Sequence, residues 1–130
     1  MKAEELLRYA SKARNLAYAP YSKFRVGAAL LSKDGEIFTG CNIENASYGL
    51  TNCAERTAVF KAVSDGVTEF TAMAIAVPGG ASPCGACRQV LNEFNPTMTI
   101  MLGDENGQLI RITSVDTLLP DAFGPENLAK

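Results

Sequence analysis

The first part of the chain carries hydrophobic residues at helical spacing. Leu6, Ala10, Ala13 and Ala17 follow one another at intervals of four, three and four residues, with charged residues between them. This spacing places the apolar side chains on one face of a helix, where they can pack against a core. The pattern predicts an amphipathic first helix, and we expect Pro20 to end it because proline cannot continue a helix.

Two apolar runs come next and are separated by a turn signal. The first covers residues 24–31 and the second covers residues 36–40. The residues between them include an Asp-Gly pair, which is typical of the tight turn in a β-hairpin. The pattern therefore predicts a hairpin of two antiparallel strands.

Helical and extended patterns then alternate. Residues 53–64 predict a helix with Asn52 as its N-cap and Gly66 just past its end. Residues 71–77 form a short apolar run bounded by Pro-Gly-Gly, as expected for a buried strand.

A third helix is predicted over residues 84–94. Ser82 offers an N-cap and Pro83 suits the first helical position. We expect the helix to stop before Pro96.

Two further strands complete the regular pattern. Residues 97–102 and 108–113 are joined by a short loop with an Asn-Gly signal, which predicts an antiparallel pair. The tail from residue 114 onward shows no strong periodicity. Strands that alternate with helices predict one layered α/β domain, in which helices cover a mixed sheet.

Composition narrows the class of protein. The chain has 130 residues, of which 47% are hydrophobic, and this is enough for one domain with a real core. Its net charge of -2 is spread along the chain, so there is no basic stripe for a nucleic-acid backbone. Charges interrupt every apolar run near the N-terminus, so we expect neither a signal peptide nor a membrane span, and a cytoplasmic protein.

The complete absence of histidine restricts the possible chemistry. It excludes Ser-His-Asp triads, Cys-His nucleophile pairs and HExxH metalloprotease sites. A proton shuttle near neutral pH must then be a carboxylate, a lysine, a cysteine or a metal-bound water.

Three cysteines carry the strongest chemical signal. Cys53 opens one predicted helix, whereas Cys84 and Cys87 lie three residues apart on one face of another. In a reducing compartment such cysteines favour a metal site over disulfides. Three thiolates suit a tetrahedral Zn²⁺ whose fourth position is open to water, and Glu55 is close enough in sequence to handle that water's protons.

Two arginines follow the cysteines directly. Because zinc bound by three thiolates carries net negative charge, we expect Arg56 and Arg88 to offset it by donating hydrogen bonds to sulfur. The simpler interpretation is that both are solvated surface charges.

Other interpretations of the cysteines and of Glu55 stay open. The Cys-x-x-Cys pair alone could be a redox dithiol. Glu55 could close a capping box begun by Asn52. Cys41 is best interpreted as a small buried residue, but as a fourth ligand it would make a closed, non-enzymatic zinc module.

The combination of motifs resembles a known family. Cys53-Ala54-Glu55, followed by Pro-Cys-Gly-Ala-Cys-Arg-Gln at residues 83–89, is similar to the signature of the cytidine deaminase superfamily, and in particular to its three-cysteine, homotetrameric branch. Similarity extends from the first helix through residues 26–29 and 41–48. The resemblance implies a three-layer α/β/α fold with a five-stranded mixed sheet whose last two strands are antiparallel.

The resemblance also implies a reaction. Zn²⁺ would be held by Cys53, Cys84 and Cys87, and water activated at the metal would attack C4 of cytosine. Glu55 would act first as base and then as acid. Cytidine and 2'-deoxycytidine would become uridine and 2'-deoxyuridine with release of ammonia, as in pyrimidine salvage.

Residues that contact the substrate follow from the same resemblance. The Asn-x-Glu pair, Asn42 and Glu44, would bind the ribose, and Phe24 would flank the pyrimidine. Tyr48 and Phe123 would reach a neighbouring subunit's pocket in a homotetramer. Ala54 is also implicated in substrate binding.

Close relatives of the family differ in the last pair of strands. Deaminases of free bases, tRNA or DNA are expected to insert a helix there, for which residues 103–107 are too short. A free nucleoside is therefore favoured as substrate over a polynucleotide. A deaminase of a blasticidin-type antibiotic remains the nearest alternative, although it should lack the Asn-x-Glu pair.

Overall fold

The computed structural model describes residues 1–128 and contains one five-stranded sheet with helices on both faces. The helices are α1 (Ala3–Arg14), α2 (Ala54–Ser64), α3 (Gly85–Phe94) and the short α4 (Val115–Leu118). The strands are β1 (Gly27–Ser32), β2 (Ile37–Cys41), β3 (Phe70–Ala76), β4 (Thr99–Gly103) and β5 (Leu109–Ser114).

The sheet is mixed, with the strand order β2-β1-β3-β4-β5. Strand β1 pairs antiparallel with both β2 and β3, whereas β3 and β4 run parallel. Strands β4 and β5 are antiparallel and are joined by a short loop. The predicted hairpin and the predicted antiparallel last pair are both confirmed.

Strand β3 shows how the sequence builds three layers. Ala72, Ala74 and Ala76 lie in the core cluster that contains Leu6 and Ala10 of α1. The alternate residues of β3, Met73 and Ile75, lie in the core cluster on the opposite face with residues of α2 and α3, and so does Val77 just after the strand. Period-two alternation of small and large apolar side chains therefore buries both faces of the strand.

Two glycines set how closely the helices approach the sheet. A Cβ on Gly27 would lie 2.0 Å from the carbonyl oxygen of Ala10 in α1. A Cβ on Gly40 would lie 2.5 Å from the carbonyl oxygen of Ala54 in α2. Any side chain at these two positions would push a helix away from the sheet.

The first helix ends earlier than its pattern predicts. It stops at Arg14, so the expectation that Pro20 ends it is wrong. Tyr18 forms a β-bridge with Ile43, and this pairing draws the chain away from the helix axis. Ala17 is nevertheless buried, as its place in the pattern required.

The predicted N-caps of the second and third helices are also wrong. Cys53 and Cys84 occupy the N-cap positions instead. Asn52 donates its side-chain amide to Thr57, and the Ser82 hydroxyl accepts from Arg88, so both polar groups are already engaged. Within residues 1–128, no helix combines the length and apolar character that crossing a membrane requires.

Candidate active site

Two helix N-termini converge at one end of the sheet. Helix α2 begins directly after Cys53, and α3 begins directly after Cys84. Cys87 is buried in the first turn of α3. Helix N-termini carry partial positive charge, which favours thiolates near them.

The three sulfur atoms lie at the separations that a bound zinc ion requires. The Sγ of Cys84 is 4.0 Å from that of Cys53 and 3.5 Å from that of Cys87. All three atoms lie within 4.8 Å of one another. Sulfurs bound tetrahedrally at about 2.3 Å from zinc are separated by about 3.8 Å, so this donor set fits the ion.

Cys41 does not belong to this group. In the part of the chain that the structure describes, the cluster of metal-binding side chains consists of Cys53, Cys84 and Cys87. Cys41 is half-buried at the end of β2, and burial raises the pKa of its thiol. The closed zinc module with Cys41 as fourth ligand therefore has no support in the geometry.

The pKa values of Cys53 and Cys87 are shifted in opposite directions. Hydrogen bonding with Cys87 is the largest cause that lowers the pKa of Cys53, and Arg56 lowers it further. The same interaction with Cys53, together with burial, raises the pKa of Cys87. The thiol of Cys53 therefore loses its proton more readily than the thiol of Cys87, and binding a metal would release protons from thiols that are still protonated.

The two arginines that follow the cysteines have different partners. Arg56 donates a hydrogen bond from Nη2 to the Sγ of Cys53 over 3.1 Å. Arg88 instead donates to the carbonyl oxygens of Pro83 and Leu118, each at 2.7 Å, and to the hydroxyl of Ser82. The expectation that Arg88 donates to sulfur is wrong, because its guanidinium joins α3 to the chain before it and to the end of α4.

Glu55 is a buried carboxyl beside the cysteine cluster. Only 5% of its surface is exposed, and burial, the largest cause, raises its pKa to about 7. The negative charge of Cys53 adds to that increase. No side chain makes a capping hydrogen bond at the start of α2, so the alternative role of Glu55 in a capping box does not apply. A carboxyl of this pKa can accept and return a proton near neutral pH.

A cavity of about 250 Å³ is lined by Glu55, Cys53 and Cys84. Its other walls come from the segment before β1, the segment between β2 and α2, the start of α2, β3 and the segment before α3. They are mainly apolar and include Phe24, Val26, Asn42, Thr51, Ala54, Ile75, Val77 and Pro83. A larger cavity of about 560 Å³ runs along α1, but neither cysteine nor buried carboxyl lines it. The chemistry is concentrated in the smaller cavity.

The implicated substrate residues divide between two adjoining cavities. Phe24, Asn42 and Ala54 line the cavity of Glu55. Glu44 and Tyr48 line a neighbouring cavity of about 450 Å³, and Thr51 lines both. Phe123 lies outside the lining of either cavity and exposes 59% of its surface.

Asn42 and Glu44 both hold the segment that leads to Phe24. Asn42 donates to the carbonyl oxygen of Phe24 at 2.7 Å and accepts from the amide of Val26 at 2.9 Å. Glu44 accepts from the backbone amides of Tyr21 and Ser22 and from the Ser22 hydroxyl. The Ser22 hydroxyl is the largest cause that lowers the pKa of Glu44.

Ser22 was not among the candidate residues. Its partner Glu44 lies 22 positions away along the chain, and no local motif signals a contact at that distance. Gln89 was also missed; its amide donates to the backbone carbonyl of Phe123 at 2.8 Å and so ties the tail to α3.

Comparison with known proteins identifies this arrangement. The family described as the cytidine and deoxycytidylate deaminase zinc-binding region matches residues 1–103. The chain belongs to this family. Zinc is therefore the cofactor of this deaminase, and the cluster of Cys53, Cys84 and Cys87 provides a donor set that fits it.

Individual cytidine deaminases are similar to the chain over nearly its whole length. The one from Sporosarcina psychrophila is 56% identical over 132 aligned positions, which cover 99% of this chain and 96% of that protein. The crystal structure of cytidine deaminase from Burkholderia pseudomallei is 52% identical, with a TM-score of 0.90 over 95% of this chain and 100% of that one. The crystal structure of cytidine deaminase from Mycobacterium tuberculosis is 42% identical in sequence, with a TM-score of 0.83 over 95% of this chain and 98% of that one. The three-layer fold that the sequence resemblance implied is confirmed.

Proposed function

We propose that this deaminase hydrolyses cytidine and 2'-deoxycytidine to uridine and 2'-deoxyuridine, with release of ammonia. The observation that carries the proposal is that the buried Glu55 lines the same cavity as Cys53 and Cys84. Deamination at C4 of cytosine needs an activated water and a group that moves protons, and this cavity offers a donor set for zinc and a carboxyl of suitable pKa.

The residues proposed to hold zinc are Cys53, Cys84 and Cys87. Zinc, when bound, supplies the Lewis-acid chemistry that makes water a nucleophile near neutral pH. Arg56 supports the set by donating to the Sγ of Cys53, which partly offsets the negative charge of three thiolates.

Glu55 is proposed to carry the protons. Its carboxylate takes a proton from the attacking water and returns it to N3 of the cytosine ring. Glu55 then takes the second proton from the hydroxyl group newly bonded to C4 and passes it to the amino group, so that the C4–N bond breaks, ammonia leaves and the C4 carbonyl of uridine forms. A carboxyl whose pKa is near 7 is half-protonated close to neutral pH, which suits both the accepting and the donating step.

The remaining walls are proposed to select a pyrimidine nucleoside. The Phe24 ring flanks the base, and Ala54 contacts the base at the start of α2. Asn42 uses one amide hydrogen and one lone pair on the backbone of the Phe24 segment, which leaves one donor and one acceptor site for a ribose hydroxyl. Glu44 is proposed to reach the ribose from the adjoining cavity.

The small size of the cavity supports a shared site. About 250 Å³ is less than the roughly 300–1,000 Å³ usual for small-molecule sites, so one chain encloses a nucleoside incompletely. Tyr48 and Phe123 expose 75% and 59% of their surfaces. We propose that both contribute to the pocket of a neighbouring subunit in a homotetramer.

The whole chain is proposed to form one deaminase domain that works in pyrimidine salvage. A cytoplasmic location suits this role, because a site of free cysteines needs a compartment that keeps thiols reduced.

The test is to follow the conversion of cytidine, 2'-deoxycytidine, cytosine and blasticidin S by ultraviolet absorbance, with zinc measured in the same sample. We expect both nucleosides to be converted by protein that carries one zinc per chain. Conversion of blasticidin S in preference to cytidine would support the antibiotic deaminase instead. Full activity of zinc-free protein would overturn the proposed mechanism.

A further inference from the structure

We propose that Ser22 is a positioning residue for this site. Its hydroxyl links the carboxylate of Glu44 to the backbone of Phe24, and so holds the aromatic wall of the cavity in place. The kinetic part of this inference rests on the proposed function, whereas the structural part does not.

The link is a chain of hydrogen bonds. The backbone amide of Phe24 donates to the Ser22 hydroxyl at 3.0 Å, and that hydroxyl donates to one carboxylate oxygen of Glu44. The other carboxylate oxygen accepts from the amides of Tyr21 and Ser22 at 3.0 and 3.2 Å. Glu44 thereby fixes the backbone amides of Tyr21 and Ser22, and the Ser22 hydroxyl connects Glu44 to the backbone amide of Phe24.

The residue between Ser22 and Phe24 has an unfavourable backbone conformation. Lys23 has a φ of 61°, in the left-handed region that a lysine rarely adopts. Its amide donates to the carbonyl oxygen of Ala19 at 3.1 Å. The hydrogen bond from Phe24 to the Ser22 hydroxyl spans Lys23 and stabilises this conformation, which the isolated segment would leave.

Phe24 depends on this support because its ring is poorly packed. Phe24 exposes 45% of its surface, although it is one of the residues that line the cavity of Glu55. Its backbone is held on one side by Asn42, which donates to the Phe24 carbonyl oxygen, and on the other side by Ser22. Removing the Ser22 hydroxyl leaves the backbone amide of Phe24 without this hydrogen bond and allows Lys23 to leave its left-handed conformation. The Phe24 ring then loses its fixed orientation.

A fluorescence experiment tests the structural part without any catalysis. The chain contains no tryptophan, so Phe24→Trp introduces a single indole at the cavity wall. We expect Ser22→Ala in that background to lower the fluorescence anisotropy and shift the emission to the red. Ser22→Thr keeps the hydroxyl and should retain the parent spectrum. Ser11→Ala removes a hydroxyl of α1 that donates to the backbone carbonyl oxygen of Glu105, and it is the matched control because Ser11 lines neither the cavity of Glu55 nor that of Glu44.

Steady-state kinetics with cytidine test the functional part. A cavity wall contacts substrate and transition state alike, so Ser22→Ala should raise KM roughly 3- to 10-fold and change kcat by less than about twofold. Ser22→Thr should restore KM. The double variant Ser22→Ala/Phe24→Ala should have nearly the same KM for cytidine as Phe24→Ala alone, because Ser22 acts through Phe24.

The outcomes separate the two proposals. If Ser22→Ala matches Ser11→Ala in anisotropy and in KM, or if Ser22→Thr fails to restore both, Ser22 has no positioning role. If the wild-type protein converts no pyrimidine nucleoside while the anisotropy changes as expected, the proposed function fails and the link from Glu44 to Phe24 stands.

Discussion

Arg56 Nη2 lies 3.1 Å from the Sγ of Cys53 and donates a hydrogen bond to it. The two residues lie one helical turn apart, with Cys53 at the N-cap of α2 and Arg56 in its first turn. A fixed positive charge therefore lies beside the Cys53 sulfur, and this contact lowers the pKa of Cys53 in addition to the larger effect of Cys87. Four consecutive residues at the start of α2, from Cys53 to Arg56, therefore include a proposed zinc ligand, a positive charge beside it and the carboxyl of Glu55.

Replacing Arg56 by Gln should weaken zinc binding. The variant loses the charge that offsets three thiolates, and we expect its zinc affinity to fall about 10-fold or more, measured by competition with a chromogenic chelator. Arg8→Gln, on the surface of α1, removes the same charge away from the site and should leave the affinity unchanged. Equal affinities for the Arg56 and Arg8 variants would show that the hydrogen bond to sulfur has no influence on the metal.

Replacing Glu55 by Gln should abolish turnover without harming the fold. The amide keeps the shape of the side chain and needs no buried charge, so zinc content and the unfolding midpoint should stay close to wild type. We expect kcat for cytidine to fall about 100-fold or more, because the variant lacks the proposed proton carrier. Glu93→Gln on the exposed side of α3 is the control. A Glu55→Gln variant that keeps near-normal rates would remove this residue from the mechanism.

Replacing Cys84 by Ala should lower both the zinc content and the thermal stability of the protein. One ligand fewer weakens zinc binding, and the stability that the metal gives the folded state is lost with it. Zinc measured by atomic spectrometry should fall well below one per chain, and the thermal midpoint should approach that of chelator-treated wild type. Cys41→Ala should retain full zinc, because Cys41 lies outside the cluster. Loss of zinc from the Cys41 variant would instead support the closed module.

The spacing of apolar residues was enough to predict the layers of the fold. The intervals between Leu6, Ala10 and Ala13 gave α1 and its buried face, and the apolar run of residues 71–77 gave the central strand. What the spacing could not give is where helices end. Helix α1 stops at Arg14 because Tyr18 pairs with Ile43, and a pairing over that distance leaves no trace in local periodicity.

Some residues of the candidate site could likewise be predicted from sequence, whereas others could not. The cysteines and Glu55 could be found from sequence because metal and proton chemistry requires particular residue types at short spacing. The partners of Arg88 could not be predicted from sequence, because its guanidinium donates to the carbonyl oxygen of Leu118, in a tail that shows no periodicity. The link between Ser22 and Glu44 was missed for a similar reason: serine and glutamate are common surface residues, and only the folded chain brings them together.

Gly40 lies where β2 meets the first turns of α2, and replacing it by Ala should disturb the site from outside. The new Cβ would lie 2.5 Å from both the carbonyl oxygen of Ala54 and the amide of Ala58, so α2 must move. We expect a loss of about 2–3 kcal/mol in the free energy of unfolding, measured by urea titration. Because Cys53 and Glu55 move with the start of α2, zinc affinity and kcat should also fall at temperatures where the variant is folded. Gly49→Ala, whose Cβ would meet no atom within 4 Å, should change stability little. Similar unfolding free energies for the two variants would mean that α2 tolerates displacement, and that its distance from β2 does not set the geometry of the metal ligands.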